Sequence, residues 1–163
     1  IRQMSGEALV HRVLKLLDEA LPVTVSRPMS EEYVRTIIPL VQERLKTMNE
    51  VTQLMDFFFL DDLEYPAEDL IQRGLDINST VIALEATLQR VTDLEVWSAE
   101  HLEGELRPLA EELEIKTGQL FGAIRVATTG RKAAPPLFET MEVLGRDRCL
   151  TRLNVATSLL SDG

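Results

Sequence analysis

The sequence predicts an all-α protein built from two small helical subdomains with no sheet, and three observations predict it. Apolar residues recur at three- and four-residue spacing along most of the 163 positions. Capping residues and prolines precede these stretches, and glycines follow several of them. No stretch alternates with the two-residue period of a strand, and aromatics are only 5 % of the chain, a mix that favours packed helices over a β-sandwich.

The first helix runs from Gly6 to Leu21, with Leu9, Val13, Leu16, Leu17 and Ala20 on one face, and Pro22 ends it. Pro22 and Pro28 lie in the loop that follows. Ser30 then supplies an N-cap, and Glu31 and Glu32 occupy the first turn, where the helix dipole favours negative charge. Val34, Ile37, Ile38, Val41 and Leu45 form the buried stripe of this second helix. Pro39 inside it is expected to kink or split it, because its ring removes an N–H and crowds the turn before. Thr47-Met48-Asn49-Glu50 has capping-box spacing, which starts a third helix near Met48 with Val51, Leu54, Met55 and Phe58 inward. The run Phe57-Phe58-Phe59-Leu60 is too apolar for an exposed end and is expected to plug a core or a contact between subdomains. Asp61 to Pro66 form a turn, and a short helix over 66–73 stops at Gly74.

Gly74 to Asn78 is the expected boundary, dividing the chain into subdomains 1–74 and 75–163. A helix from Ser79 to Asp93 carries Val81, Ile82, Leu84, Leu88 and Val91. Ser98 caps the next one, with Trp97 stapled onto Leu102. Leu102, Leu106, Leu109 and Leu113 face inward there, although Gly104 and Pro108 weaken its continuity. Gln119 to Ala127 reads as a short helix that Gly130 terminates, and Arg131 to Ala134 as a loop. Pro135-Pro136 preset the start of a helix over 136–144, since proline is tolerated where the N–H is unpaired anyway. Gly145 ends that helix, and Asp147 begins the last, with Leu150, Leu153, Ala156 and Leu160 inside.

Composition excludes several classes of function. A net charge of -10 argues against a general nucleic-acid binder, though a module that reads a few unstacked bases remains compatible with it. The lone cysteine, Cys149, cannot form an internal disulfide, which points to a reducing, cytoplasmic setting. No apolar run approaches the roughly 20 residues needed to span a bilayer, and the first residues carry no signal-peptide core. Starting at Ile1, the chain has the look of a piece of a longer protein.

Catalytic constellations are missing from the sequence. His11 and His101 stand alone within predicted helices, where a general base would need partners in reach. One cysteine cannot make a zinc cluster, and Gly130-Arg131-Lys132 lacks the rest of a phosphate-binding loop. The pairs Asp61-Asp62, Glu111-Glu112 and Glu31-Glu32 are adjacent in sequence, so their side chains diverge on a helix and read as solvated surface.

Charge is segregated along the chain. Lys116 to Arg152 holds seven Lys and Arg against three acids, whereas 75–115 holds two Arg against ten acids. Two readings are open: a positive patch facing a polyanion, or a basic helix face paired with acidic neighbours. Arg125, between Ile124 and Val126, is either a buried ion-pair member or a bidentate reader of bases or phosphate. Arg131 and Lys132 follow in the loop. Pro135-Pro136-Leu137 then lead into a helix N-terminus whose free N–H groups suit anions or base edges, with Leu137 and the prolines giving an apolar surface for a splayed base.

These residues resemble a known family. Arg125-Val126-Ala127-Thr128-Thr129-Gly130, then Pro136-Leu137-Phe138-Glu139, Leu144-Gly145-Arg146-Asp147-Arg148 and Arg152-Leu153 are similar to the C-terminal anticodon-binding region of bacterial-type glutamyl-tRNA synthetases. Arg44-Leu45-Lys46-Thr47-Met48-Asn49-Glu50, Phe57-Phe58-Phe59 and Tyr65-Pro66 look like the same family's first anticodon-binding half. The likeness is weak before Ser30 and between 75 and 115. The family's Rossmann catalytic domain and its signature motifs do not appear here.

The resemblance implies a non-catalytic anticodon-binding module of a glutamate–tRNA ligase. ATP and magnesium would be used by a catalytic domain outside this chain, and the module itself would need no cofactor and no metal. The implied partner is the anticodon loop of glutamate tRNA, with no DNA, no membrane and a monomeric parent. By motif match, Arg44 stands where the family reads the third anticodon base, a cytosine, and Arg125 where it approaches the first two. Pro135 and Leu137 match residues that pack around those bases. Ala134 stands where some members carry a hydroxyl, which leaves a side-chain hydrogen bond there in doubt. Arg131 and Lys132 complete the candidate RNA-contact set. The rival readings are a helical protein–protein interaction module whose basic window docks an acidic partner, and a small helical enzyme using arginine-rich anion binding.

Overall fold

The computed structural model describes residues 6–21, 23, 25, 30–41, 55–60, 62–132 and 136–162. Among them are seven α-helices, two 3₁₀ turns and no strand, so the protein is all-α. Contacts divide the chain into two compact units, Ile1–Asp62 and Leu63–Gly163.

In the first unit, α1 (Gly6–Ala20) packs on α2 (Glu31–Val41). Leu9, Val13 and Leu17 are fully buried, as the helical period requires, and Val10 joins them. Ala20 is exposed at the helix end. Ser30 caps α2 by accepting the Tyr33 N–H at 3.2 Å. Val34, Ile37, Ile38 and Val41 are buried. Pro39 lies within α2 without splitting it: the helical residues continue through Val41, and the exposed proline sits away from the buried stripe of Val34, Ile37, Ile38 and Val41. The Tyr33 hydroxyl donates to the Phe58 carbonyl at 3.1 Å, and its ring meets Phe58 and Phe59 edge-on at 6.4 and 5.4 Å. The phenylalanine run therefore belongs to this unit's core, with a 3₁₀ turn over Asp56–Phe58. The helix expected near Met48, with its capping box, and Leu45 lie outside the described residues.

The second unit begins with a strap, residues 63–74, that runs along one helix of the bundle. The helix expected over 66–73 is a 3₁₀ turn, Ala67–Leu70, bounded by extended Pro66 and Ile71. Helix α3 (Ile77–Thr92) starts two residues before Ser79, because Asp76 is its cap. Its carboxylate accepts the Ser79 N–H at 2.8 Å while Ser79 Oγ accepts the Asp76 N–H at 2.9 Å. Ser98 caps α4 (Ala99–Glu112) as expected, accepting the His101 N–H at 3.2 Å.

Helix α4 is continuous through both residues expected to weaken it. Gly104 sits one turn before Pro108, so the carbonyl that the proline ring crowds belongs to a residue without a side chain. Both are exposed, which leaves that carbonyl to water, while Leu102, Leu106, Leu109 and Ala110 bury the opposite face. Helix α5 (Thr117–Thr129) is longer than expected by residues at each end. Helices α6 (Leu137–Leu144) and α7 (Arg146–Asp162) are separated by Gly145 at φ +89°.

The core of this unit sits between α3 and α7, with α5 and α6 packed on α7. Arg146 donates to the Thr92 carbonyl at 3.2 Å, which puts the start of α7 at the end of α3. Its guanidinium also lies over the Trp97 ring, 5.4 Å from the centroid. The Trp97 indole N–H donates to the Met141 carbonyl at 2.8 Å, and Glu142 accepts the Ala99 N–H at 2.8 Å. Helix α6 thus caps the start of α4 with a carboxylate, where the dipole favours it.

Candidate nucleic-acid interface

The candidate residues converge where α5 ends. Gly130 adopts the left-handed conformation (φ +74°) and returns its N–H to the Val126 carbonyl at 2.7 Å. The Thr129 hydroxyl donates to the Arg125 carbonyl at 2.6 Å and accepts the Arg131 N–H at 3.1 Å. One side chain thereby ties the helical arginine to the loop arginine. Beneath them, Arg152 of α7, buried to 4 % exposure, donates to the Thr128 carbonyl at 2.6 Å. A cation at a helix C-terminus satisfies orphan carbonyls and complements the dipole.

The strap closes the other side. A Cβ placed on Gly130 would stand 3.5 Å from Tyr65 Cδ1 and 3.6 Å from Leu63 Cβ. Burial pushes the Tyr65 hydroxyl up to about 12, and nearby Arg152 opposes that shift. Lys132 Nζ lies 3.4 Å from Asp69 Oδ1 on the strap, with the lysine side chain 73 % exposed. A pair that open to water is weak and can exchange its partner for another anion.

Arg125 and Arg131 are half-buried, and Lys132 is exposed. Leu137 is only 5 % exposed, so its side chain packs inward and is not the open apolar surface expected; Pro136 is the exposed apolar residue there. The reason is register: Leu137 and Phe138 open α6 on its buried face, and Phe138 meets Phe121 of α5 edge-on at 5.1 Å. Arg44, Ala134 and Pro135 lie outside the described residues.

Sequence reasoning missed the role of Arg152, counting it only as part of the basic window and of the family pattern. The signal was available: it shares the inward face of α7 with Cys149, Leu153 and Ala156, so its positive charge had to be spent internally. Arg146 is likewise engaged, with Thr92 and Trp97. Two of the seven basic residues thus hold the fold.

Among the described residues, groups suited to covalent or acid–base chemistry are not gathered at this corner. Burial pushes the Cys149 thiol up to about 12, which removes its nucleophilic form at neutral pH. His101 Nδ1 sits 2.7 Å from Ser98 Oγ at the start of α4. Elsewhere, ligand atoms of Glu7, His11 and Glu31 lie within 4.8 Å of one another. One Arg35 nitrogen already bonds both carboxylates, at 2.8 and 2.6 Å, and pulls Glu7 below its usual range. No helix among the described residues is long and apolar enough to cross a membrane.

The sequence matches the family described as Anticodon binding domain over residues 9–157. It is 44 % identical over 162 residues to a protein of Roseiflexus castenholzii named Glutamate--tRNA ligase, a match covering 99 % of this chain and 32 % of that protein. A Dehalococcoides mccartyi protein of the same name is 41 % identical over 162 residues, covering 99 % of this chain and 33 % of its own length. The crystal structure of a glutamate tRNA ligase from Elizabethkingia meningosepticum superposes with a TM-score of 0.79 at 23 % identity, covering 96 % of this chain and 30 % of that one. At that identity the superposition speaks to the fold. The chain spans about a third of the length of these relatives.

Proposed function

Because the chain belongs to the anticodon binding domain family, we infer that it is the part of a glutamate–tRNA ligase that holds the tRNA anticodon loop. The observation that carries this reading is the family match over 9–157, which takes in the whole α5–α6 corner. ATP-dependent attachment of glutamate, with magnesium, would fall to a catalytic region outside this chain, in a monomeric cytoplasmic parent.

The chemistry divides between identity and affinity. Arg44 offers a guanidinium fork to the third anticodon base. Cytosine presents acceptors at O2 and N3, whereas guanine would oppose donors to donors, so glutamine tRNAs are refused. Arg125, anchored through its own carbonyl by Thr129, approaches the first two bases. Pro135 and exposed Pro136 give the apolar contact. Leu137 supports it from within the fold, and Ala134 contributes no side-chain hydrogen bond. Arg131 and Lys132 neutralise phosphate, with Asp69 exchanged for RNA at Lys132.

The test is Arg44→Ala, with binding measured to anticodon hairpins ending in C or in G. The variant should lose about 1–3 kcal/mol of discrimination. Unchanged discrimination would refute the assignment. A protein-docking role for the basic window would instead show no preference between the two hairpins.

A further inference from the structure

Two cations at the opposite end of α5 are left without an internal role. Among the described residues of the second unit, Arg90 and Arg107 pair with glutamates, and Lys132 pairs with Asp69. Arg146 and Arg152 donate to backbone carbonyls. Arg125, Arg131 and Arg148 are half-buried and engaged within the protein. Arg73, on the strap, and Lys116, just before α5, are exposed, and neither forms an ion pair among the described residues. Asp76, close to Arg73 in sequence, is committed to the cap of α3.

Their placement is built rather than incidental. Gln119 accepts the Lys116 N–H through Oε1 at 2.8 Å and donates through Nε2 to the Arg73 carbonyl at 2.9 Å. A single side-chain amide therefore holds together two segments distant in sequence, each bearing an exposed cation. Gly74, at φ +94°, lets the strap turn there, and a Cβ on it would come within 2.7 Å of Gln119 Nε2. Two exposed cations on backbones tied together in this way offer an anionic strand two charges at one end of α5. The two ends of α5 are one helix length apart, about 20 Å at 1.5 Å per residue.

We propose that Arg73 and Lys116, clamped by Gln119, bind the phosphodiester backbone of the RNA whose unstacked bases reach the α5–α6 corner. This rests on the anticodon-loop reading above. The strand runs along α5, read by its bases at the C-terminal end and held by its phosphates at the N-terminal end. The clamp contributes affinity and orientation and carries no base preference.

The experiment is a salt titration of binding between this chain and a fluorescent hairpin carrying the glutamate anticodon loop. The double variant Arg73→Ala/Lys116→Ala should bind more weakly, with the slope of log K against log[salt] smaller by about one per cation removed. Its preference for a C-ending over a G-ending anticodon should persist. Arg73→Lys/Lys116→Arg, which keeps both charges, should retain the wild-type slope. An unchanged slope in the alanine variant, with its helical circular dichroism intact, would overturn the clamp and leave the anticodon reading standing. Failure of the wild-type chain to prefer the C-ending hairpin would overturn both.

Discussion

Arg152 and Thr128 are joined inside the second unit: the guanidinium Nη1 donates to the threonine carbonyl at 2.6 Å, from a residue only 4 % exposed. The bond holds the end of α5 against α7 at the corner where the candidate RNA contacts meet. A buried hydrogen bond to a charged group contributes about 1.5–3 kcal/mol. Arg152→Met, which keeps the length and loses the donors, should lower unfolding stability by about 2–3 kcal/mol in urea titrations. A change below about 0.5 kcal/mol, the size of an ordinary surface substitution, would remove Arg152 from this role.

Positive φ angles give opposite outcomes at two helix ends. Glu114 stands at φ +59° after α4, where Ile115 N–H returns to the Ala110 carbonyl and Glu114 N–H to the Glu111 carbonyl. This is the Schellman pattern with a side chain where glycine is usual. Glu114→Gly should stabilise the protein by about 1 kcal/mol, and Gly130→Ala should destabilise it by about 1–2 kcal/mol. The neighbours of Gly130, no closer than 3.5 Å to the added Cβ, leave the backbone as the source of the cost. Thermal unfolding of the two variants checks both signs.

Burial gives Cys149 a pH signature. Its thiol is pushed up to about 12 by desolvation, against the opposing pull of Arg152 and Arg148. The folded state therefore keeps a proton that the unfolded chain releases above about pH 8.5. Stability is fully present below that value and falls as pH rises towards 12, by about 1.4 kcal/mol per pH unit for one proton. Cys149→Ala should flatten this slope between pH 9 and 10. A thiol reagent at pH 8 should modify the wild-type chain only after denaturant is added.

Arg125 should act on recognition. Arg125→Ala is expected to weaken discrimination at the first two anticodon positions by about 1–3 kcal/mol while the third-base preference proposed for Arg44 persists. Hairpins varied one base at a time measure it. Loss of the third-base preference as well would mean that Arg125 supports the fold and reads nothing.

The helical architecture was legible because residues such as Val34, Ile37, Ile38 and Val41, or Leu102, Leu106 and Leu109, announce a buried face by spacing alone. Caps were legible where one residue supplies the signal, as at Ser98, and less so where two do. Ser79 reads as a start, yet it is the third helical residue of a box begun by Asp76. The grouping of Arg125 with Arg131 follows from their nearness in the chain, and Thr129 supplies the bond that joins them. Contacts between distant segments carry no local period. The packing of Tyr65 and Leu63 on Gly130 and the bond from Arg152 to the Thr128 carbonyl therefore appear only in the folded molecule. Charge counting also misled in part, because it treats an arginine holding carbonyls and one facing solvent alike.

The strap along α5 has a kinetic consequence. Helix α5 can form from its own residues, but its two ends are completed by Leu63, Tyr65 and Arg73, across a separation of 46 positions at the Gln119–Arg73 bond. Such a closure loses chain entropy before its contacts offset that loss, so it belongs late in folding. Substitutions at the strap should accelerate unfolding far more than they slow folding, and the candidate contact corner should be among the last parts of the chain to become native.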